Sequence, residues 1–447
     1  MGRRPRVYLH IGAMKTGTTY LQQLMGANQE SLAEAGYLFP GETWVDQSRA
    51  VRDILFDTAD ARMRAHLDGM WAQFRDQMLD HRGRASIISM EFLSFADEER
   101  AQRIVDSLAG ADVHAVLTVR DAAATIPSQW QTSCRNGGRL PYAKMLAGVR
   151  LALDGEDHQH RSPYRLFQRT QGIPRMLDAW VPVVGRKRMH VVTVPPRGSD
   201  PALLWRRFAR VVRVDPGVVR LDEVKGSNPS LGLASTELLR LINIELGKVH
   251  PMDYRRVVRR LLARLVLSAR TDLEQPVRLN GRGLNLAARW NGVVRDAIAA
   301  HRVPLVGSLK DLPTARPDPD TEQPLPAPTE AEMLSAAASA RAGLTVLRRE
   351  LTAADDRDRM ATASKVLVST APDLADQSIP SAWVEAGEPL RAAVVEVAQL
   401  ARDCMKLASG SPAEFDAGHD LDYLGGHVDE DPDDGGPDDE RDDERDG

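Results

Sequence analysis

The chain of 447 residues is long enough for one large domain with additions, or for two domains. Its hydrophobic content of 43% is sufficient for a core, and no stretch approaches the roughly 18 consecutive apolar residues of a membrane span. Cys134 and Cys404 are the only cysteines, which excludes a disulfide framework and a cysteine-based zinc site. We therefore predict a reduced, cytoplasmic protein without a transmembrane segment.

The charge is unevenly distributed along the chain. Of the 63 acidic and 58 basic residues, 12 acidic and 2 basic ones lie between positions 429 and 447. The formal charge of the whole chain is −5, but residues 1–428 alone carry about +5. A segment as acidic as this cannot bury apolar surface, and we expect residues 411–447 to form a disordered acidic tail.

Short apolar runs alternate with helical patterns through the first half of the chain. Strands are expected at 6–12, 85–93, 112–121 and 188–195, with amphipathic helices between them. Strands that alternate with helices imply right-handed crossovers and a parallel sheet covered on both faces. The pattern predicts an α/β fold, a three-layer P-loop-like domain with a parallel sheet.

The second half of the chain is expected to be mainly helical. Helical patterns cover about 230–300, and a last strand or turn follows. We assign an α/β domain to 1–313, a proline-rich linker to 314–330 and a helical C-terminal region to 331–410, before the acidic tail.

The sequence GAMKTGTT at 12–19 follows the first predicted strand. Gly12 and Gly17 have the offset of a Walker A loop, but Lys15 precedes the second glycine, whereas the Walker lysine follows it. A strand, a glycine loop and a helix start together form an anion site, because the first N–H groups of the helix lack internal partners. Lys15 adds a positive charge to this site. Hydroxyl donors are offered by Thr16, Thr18 and Thr19.

A second possible anion site follows the strand at 112–121. Arg120 stands at the end of that strand, and Ser128 lies eight residues later. A guanidinium at a strand end can bind a phosphate through two parallel hydrogen bonds. If 121–136 is a helix, Ser128 lies near the same face as Arg120. The two segments thus predict two anion sites on adjacent strand ends.

These residues resemble the sulfotransferases that use 3′-phosphoadenosine 5′-phosphosulfate (PAPS). The loop of that family reads approximately (P)K[ST]GTT, which KTGTT at 15–19 matches, and its 3′-phosphate site is a strand-end arginine with a serine eight residues on, as in Arg120 and Ser128. The resemblance is firmest over 6–41 and 85–137. More loosely, residues 162–232 resemble a bacterial, chiefly actinobacterial, branch of the family.

The resemblance implies that PAPS is the co-substrate, that no metal is required, and that sulfuryl moves to an acceptor hydroxyl or amine. A small-molecule, carbohydrate or lipid acceptor is expected, and no nucleic acid partner; the oligomeric state stays open. The implied 3′-phosphate residues are Arg120 and Ser128. The implied 5′-phosphosulfate residues are Lys15, Thr16, Gly17, Thr18 and Thr19, and Lys15 would also be catalytic.

Two carboxylates are candidates for the general base. Cytosolic members of the family place a histidine where Glu91 falls in this chain, at the end of the strand before the arginine-bearing one. Carbohydrate-modifying members use a glutamate in the loop after the first helix, where this chain has Glu42. Both remain candidates.

Two other functions are compatible with the loop. A P-loop kinase or nucleotide triphosphatase would bind Mg-ATP, although no convincing acidic strand end is found for the metal. A nucleotide-binding module of the same fold without turnover is the other alternative.

Overall fold

The computed structural model of the protein describes residues 4–56, 64–65, 67–223, 230–315, 323–353 and 359–409. The predicted acidic tail and the middle of the predicted linker lie outside these ranges. Within them, six parallel strands form one sheet in the order β2-β3-β1-β4-β5-β6. The strands are β1 (Arg6–His10), β2 (Tyr37–Leu38), β3 (Ala85–Ser89), β4 (Asp112–Val119), β5 (Met189–Thr193) and β6 (Leu305–Val306).

Helices cover both faces of the sheet. Those of the first part are α1 (Thr18–Ala27), α2 (Gln29–Glu34), α3 (Trp44–Leu55), α4 (Met70–Asp80), α5 (Glu98–Ser107), α6 (Ala122–Arg135), α7 (Tyr142–Leu153), α8 (Ser162–Gln171), α9 (Ile173–Val184) and α10 (Leu203–Val212). Those of the second part are α11 (Leu233–Leu246), α12 (Pro251–Tyr254), a π-helix (Arg255–Val266), α13 (Gly281–His301), α14 (Glu330–Ala353), α15 (Arg359–Thr370), α16 (Ser381–Glu385) and α17 (Pro389–Ala408). Short 3₁₀ helices are found at Glu91–Phe95, Pro216–Val218, Leu221–Glu223, Leu267–Leu273 and Leu309–Asp311.

The apolar strands are buried on both faces because successive side chains point in opposite directions. In β1, Val7 and Leu9 belong to one core, together with α6, while Tyr8 belongs to the core on the other face, together with α1. All the described strands run in the same direction, so their carboxyl ends meet at one edge. The predicted α/β fold with a parallel sheet and a helical C-terminal region is confirmed.

The chain changes direction at β1. From β1 it runs through α1 to β2 at one edge of the sheet, whereas from β4 it runs through α6 toward the opposite edge. Because α1 and α6 lie on opposite faces, the loops that follow β1 and β4 diverge. Ligands of open α/β sheets bind in the crevice that such a divergence leaves.

A third apolar core combines parts of the chain that are distant in sequence. It contains buried residues of α11 and the π-helix together with residues of α14, α15, α16 and α17, among them Leu239, Val257, Leu344 and Val397. The helices before the predicted linker thus share one core with those after it. The division at 314–330 stays a prediction about the chain's folding units.

Two local expectations differ from the structure. The strand expected at 85–93 ends at Ser89, and Glu91 begins a 3₁₀ helix instead of closing the strand. The two-residue strand Tyr37–Leu38 lies between the first two predicted strands, where only helices were expected. This strand pairs with β3 at only two positions. An apolar run this short shows no periodicity by which a strand could be recognised.

Candidate functional site

The loop between β1 and α1 has a backbone that favours glycine at two positions. Gly12, Lys15 and Gly17 all have positive φ angles, of 63°, 65° and 85°. A Cβ on Gly12 would lie 2.9 Å from Thr18 Oγ1, and one on Gly17 would lie 2.6 Å from Leu204 Cδ2. The backbone of Lys15 has a left-handed conformation that residues other than glycine rarely adopt. The loop is therefore held in one specific shape by its surroundings.

This shape leaves main-chain donors at the start of α1. Gly17 is the N-cap residue, and it has no side chain that could bond the first N–H groups of the helix. The helix dipole favours an anion at that end, and backbone turns through left-handed residues form concave donor sites. The loop therefore has the geometry of an anion site.

The three threonines of the loop differ in their surroundings. Thr16 is 1% exposed, and its hydroxyl donates to the carbonyl oxygen of Ala13 at 2.5 Å. Thr18 is also buried, whereas Thr19 is exposed. A buried Thr16 hydroxyl bonded inside the loop supports the loop's shape.

Arg120 joins the end of β4 to the loop at 12–17 between β1 and α1, which we call the phosphate loop after the ligand expected from the sequence. Its Nη1 donates to the carbonyl oxygen of Lys15 at 3.3 Å. Burial lowers the pKa of the Arg120 guanidinium, Asp121 opposes that shift, and the positive charge of Arg197 adds to it. The guanidinium stays charged at neutral pH, since arginine does not deprotonate in proteins. The predicted loop and the predicted strand-end arginine are thus in contact.

The start of α6 is fixed by a buried asparagine. The side-chain oxygen of Asn291 accepts from the Ala122 N–H at 3.0 Å, and its nitrogen donates to Asp121 Oδ1 at 2.8 Å. Asp121 also caps the helix by accepting from the Ala123 N–H. Ser128 lies on this helix and is partly buried. These bonds hold the segment that carries both Arg120 and Ser128.

Glu91 lies beside the phosphate loop. Its Cβ would be 3.2 Å from a Cβ placed on Gly12. Its Oε2 accepts a hydrogen bond of 3.1 Å from Gln22 Nε2, and the same nitrogen donates to the Ser89 carbonyl at 2.8 Å. The structure therefore brings together the loop, Arg120 and Glu91.

Glu42 is exposed on the loop that follows β2. Gln47, which is buried, ties this loop to the end of β3: its Nε2 donates to the Pro40 carbonyl at 3.0 Å and its Oε1 accepts from the Ser89 N–H at 2.8 Å. Gln29 also donates to the Gly41 carbonyl. Glu42 and Glu91 thus follow adjacent strands at the same edge of the sheet.

Three supporting residues were not identified from the sequence. Gln22 positions Glu91, and Gln171 donates to the Met14 carbonyl of the phosphate loop at 2.7 Å. Arg197 adds positive charge next to Arg120. The one available signal was for Gln22, a polar residue on the buried face of α1. Gln171 is 157 positions from its partner, and no local pattern indicates such a contact.

Within the described ranges, no group of three or more His, Cys, Asp or Glu side chains could hold a metal ion. In the same ranges, no helix is both long and apolar enough to cross a membrane.

The comparisons with known proteins are sparse. No family model matches the chain, and no curated protein matches it either. A solved sulfotransferase structure from Alicyclobacillus acidocaldarius is similar with a TM-score of 0.34 and 19% sequence identity, over 51% of this chain and 87% of that one. Similarity at this level assigns neither an activity nor a substrate to this chain.

Proposed function

We propose that the chain is a sulfotransferase that moves a sulfuryl group from PAPS to an acceptor hydroxyl or amine. The observation that carries the proposal is the hydrogen bond from Arg120 to the carbonyl oxygen of Lys15, which joins a strand-end guanidinium to a glycine-rich anion loop. A donor with a 5′-phosphosulfate and a 3′-phosphate needs two such sites side by side. The strands that precede the two proposed sites, β1 and β4, are neighbours in the sheet, which supports this assignment.

In this proposal the loop holds the 5′-phosphosulfate through main-chain N–H groups at the start of α1 and through the ammonium of Lys15. Thr19, which is exposed, offers a hydroxyl donor. Arg120 and Ser128 hold the 3′-phosphate, and Arg197 adds to the positive charge there. The remaining contacts to the 5′-phosphosulfate come from Thr16, Gly17 and Thr18.

The reaction is an in-line displacement. The acceptor oxygen or nitrogen forms a bond to sulfur, the bond from sulfur to the 5′-phosphate oxygen breaks, and 3′-phosphoadenosine 5′-phosphate leaves with the electron pair. In this proposal the ammonium of Lys15 neutralises the charge that develops on the leaving oxygen. The acceptor's proton passes to a carboxylate. We assign this role to Glu91, which lies beside the loop, and retain Glu42 as the second candidate.

The experiment is a calorimetric titration of the full chain with 3′-phosphoadenosine 5′-phosphate in the absence of magnesium. We expect the wild type to bind, and Lys15→Ala and Arg120→Ala each to weaken binding at least tenfold through the loss of a charge-assisted contact. Lys365→Ala and Arg103→Ala remove exposed charges on α15 and α5, and serve as matched controls with wild-type affinity.

Four other outcomes would contradict the proposal. A wild type that does not bind, or equal binding by all variants, removes the two-site assignment. Magnesium-dependent binding of ATP in a parallel titration would favour a kinase or nucleotide triphosphatase. Normal binding of the nucleotide with no release of sulfate from PAPS and no sulfated product would indicate a binding module without turnover.

A further inference from the structure

A buried polar side chain lies in the centre of the sheet, directly before the phosphate loop. His10, the last residue of β1, is 0% exposed. Its Nδ1 lies 2.7 Å from Ser89 Oγ on β3, and its Nε2 lies 3.2 Å from Thr118 Oγ1 on β4. The imidazole therefore bridges the two strands that flank β1.

The bridge continues into the phosphate loop. Thr118 Oγ1 lies 2.7 Å from Thr16 Oγ1, and the Thr16 hydroxyl bonds the Ala13 carbonyl oxygen at 2.5 Å. Thr16 and Thr118, like Ser89, are at most 1% exposed. Ser89, His10, Thr118, Thr16 and Ala13 form an uninterrupted series of hydrogen bonds, which we call the buried relay.

The direction of each bond in the relay follows from its last member. A carbonyl oxygen only accepts, so the Thr16 hydroxyl gives its single proton to Ala13. Thr16 Oγ1 must then accept from Thr118, whose single proton is used in that bond. Thr118 Oγ1 must in turn accept from the Nε2–H group of His10.

The direction of the remaining bond, between His10 Nδ1 and Ser89 Oγ, depends on the charge of the imidazole. Burial lowers the pKa of His10 to about 3, so the ring is neutral near pH 7 and carries one N–H group. With that proton on Nε2, Nδ1 accepts from the Ser89 hydroxyl. One arrangement of protons therefore satisfies all four bonds.

We propose that His10 is a positioning residue, fixed as the Nε2–H tautomer, that holds the phosphate loop in register with the end of β3 through the buried relay. Ser89 is the link to the rest of the site: its carbonyl accepts from Gln22, which also bonds Glu91. Ser89 therefore contacts both His10, through which the relay holds the phosphate loop, and Gln22, which holds the candidate base Glu91. The ligand-binding consequence of this inference rests on the proposed function, whereas the tautomer and the loop's order do not.

The first test is the tautomer. Long-range ¹H–¹⁵N correlation spectra of the full chain with ¹⁵N-labelled histidine distinguish the two neutral forms, and the His10 signals are those absent from the His10→Gln variant. We expect the pattern of a neutral ring protonated at Nε2 at pH 7. A ring protonated at Nδ1, or a doubly protonated one, would overturn the relay.

The second test is the order of the loop without ligand. Thr118→Val keeps the shape of the side chain and removes the hydroxyl, while Thr118→Ser keeps the hydroxyl. By hydrogen-exchange mass spectrometry we expect amides of residues 13–19 to exchange about fivefold to tenfold faster in Thr118→Val, because the hydrogen bond that Thr118 donates to Thr16 of the loop is lost. Thr118→Ser should retain wild-type exchange. Unchanged loop exchange in Thr118→Val, or faster exchange throughout the chain including α17, would overturn the positioning role.

A second variant tests the relay if Thr118→Val does not fold. Ser89→Ala breaks the relay at its other end with the loss of one oxygen, and the same faster exchange of the loop is expected. Affinity for 3′-phosphoadenosine 5′-phosphate should fall in both relay variants and be retained in Thr118→Ser. If the wild type binds no nucleotide, the proposed function fails, while the spectra and exchange rates still decide on the relay. Faster loop exchange with unchanged affinity would contradict a role in anion binding.

Discussion

The amide nitrogen of Gln22 donates to Glu91 Oε2 at 3.1 Å and so connects the first helix after the phosphate loop to a candidate base. Gln22 is 3% exposed, and the same nitrogen bonds the Ser89 carbonyl, which limits its freedom to move. A carboxylate held in this way keeps a fixed orientation toward the loop. A fixed position is what a general base requires.

The contact leads to a prediction for Glu91→Gln. This variant keeps the size of the side chain and removes its basicity, so sulfuryl transfer should fall by about 10²–10⁴-fold. Binding of 3′-phosphoadenosine 5′-phosphate should be retained. Release of sulfate from PAPS, with water as the acceptor, measures transfer without knowledge of the natural acceptor.

Glu42→Gln is the matched comparison for this experiment. We expect it to retain most of the turnover, because Glu42 is exposed. A loss confined to Glu42→Gln would transfer the role of base from Glu91 to Glu42.

The surroundings of the phosphate loop predict that alanine substitution costs different amounts of stability at two glycines. Gly17 and Gly69 are both N-cap residues, with φ angles of 85° and 79°. A Cβ at Gly17 would lie 2.6 Å from Leu204, whereas one at Gly69 would meet no atom of the described residues within 4 Å. Gly69→Ala should therefore cost only the left-handed conformation, about 1–2 kcal/mol of unfolding free energy.

Gly17→Ala should cost more than Gly69→Ala, because Leu204 must move as well. It should also weaken binding of 3′-phosphoadenosine 5′-phosphate, which Gly69→Ala should not affect. Urea unfolding and calorimetry measure the two effects. Equal unfolding free energies for the two variants would show that the contact with Leu204 is relieved without cost.

The features that could be predicted from the sequence are those fixed by neighbouring residues. The apolar runs of β1 and β4 predict buried parallel strands, and Gly12 and Gly17 predict a loop whose backbone an anion can approach closely. Arg120 and Lys15 were predicted to share one edge because parallel strands end together. Their direct hydrogen bond is consistent with that expectation.

Contacts between distant residues could not be predicted in this way. The relay from Ser89 through His10 to Thr118 requires knowing that β1 lies between β3 and β4, an order that no local pattern contains. The start of a 3₁₀ helix at Glu91 was missed because EFLSF is as apolar as a strand. The shared core of α11 and α17 was missed because both helices have amphipathic patterns that do not identify a partner.

His10 also predicts how stability depends on pH. Its pKa is lowered by burial from 6.5 to about 3, so between these values the unfolded chain binds a proton that the folded chain does not. Stability therefore falls as the pH drops from 6.5 toward 3. A single such group contributes up to about 1.4 kcal/mol per pH unit to the slope.

The measurement is urea unfolding between pH 4.5 and 6.5 for the wild type and His10→Gln. We expect a shallower dependence in His10→Gln, which has no imidazole at this position. His160→Gln, which removes an exposed imidazole, is the matched control. Identical slopes for the wild type and His10→Gln would show that the buried imidazole does not remain neutral.

The third apolar core, which α11 and the π-helix share with α14–α17, predicts that the C-terminal helices are needed by the first part of the chain. Arg270, which is 3% exposed, pairs with Glu274 at 2.9 Å and donates to Ser339 at 2.7 Å and Ser335 at 3.0 Å on α14. The apolar side chains of α11 and the π-helix pack against α14 and α17 in the same region. Removal of α14–α17 would expose that apolar surface and leave a buried cation without part of its hydrogen bonding.

A chain that ends at residue 313 should therefore aggregate or bind a hydrophobic dye, whereas one that ends at residue 409 should keep the thermal midpoint of the full chain. Size-exclusion chromatography and thermal unfolding measure both. The chain ending at 409 is the matched control, because it lacks only the residues after α17. A soluble monomer with a cooperative transition from the chain ending at 313 would instead show that the α/β part folds independently, since its own packing would then be sufficient to cover α11 and the π-helix.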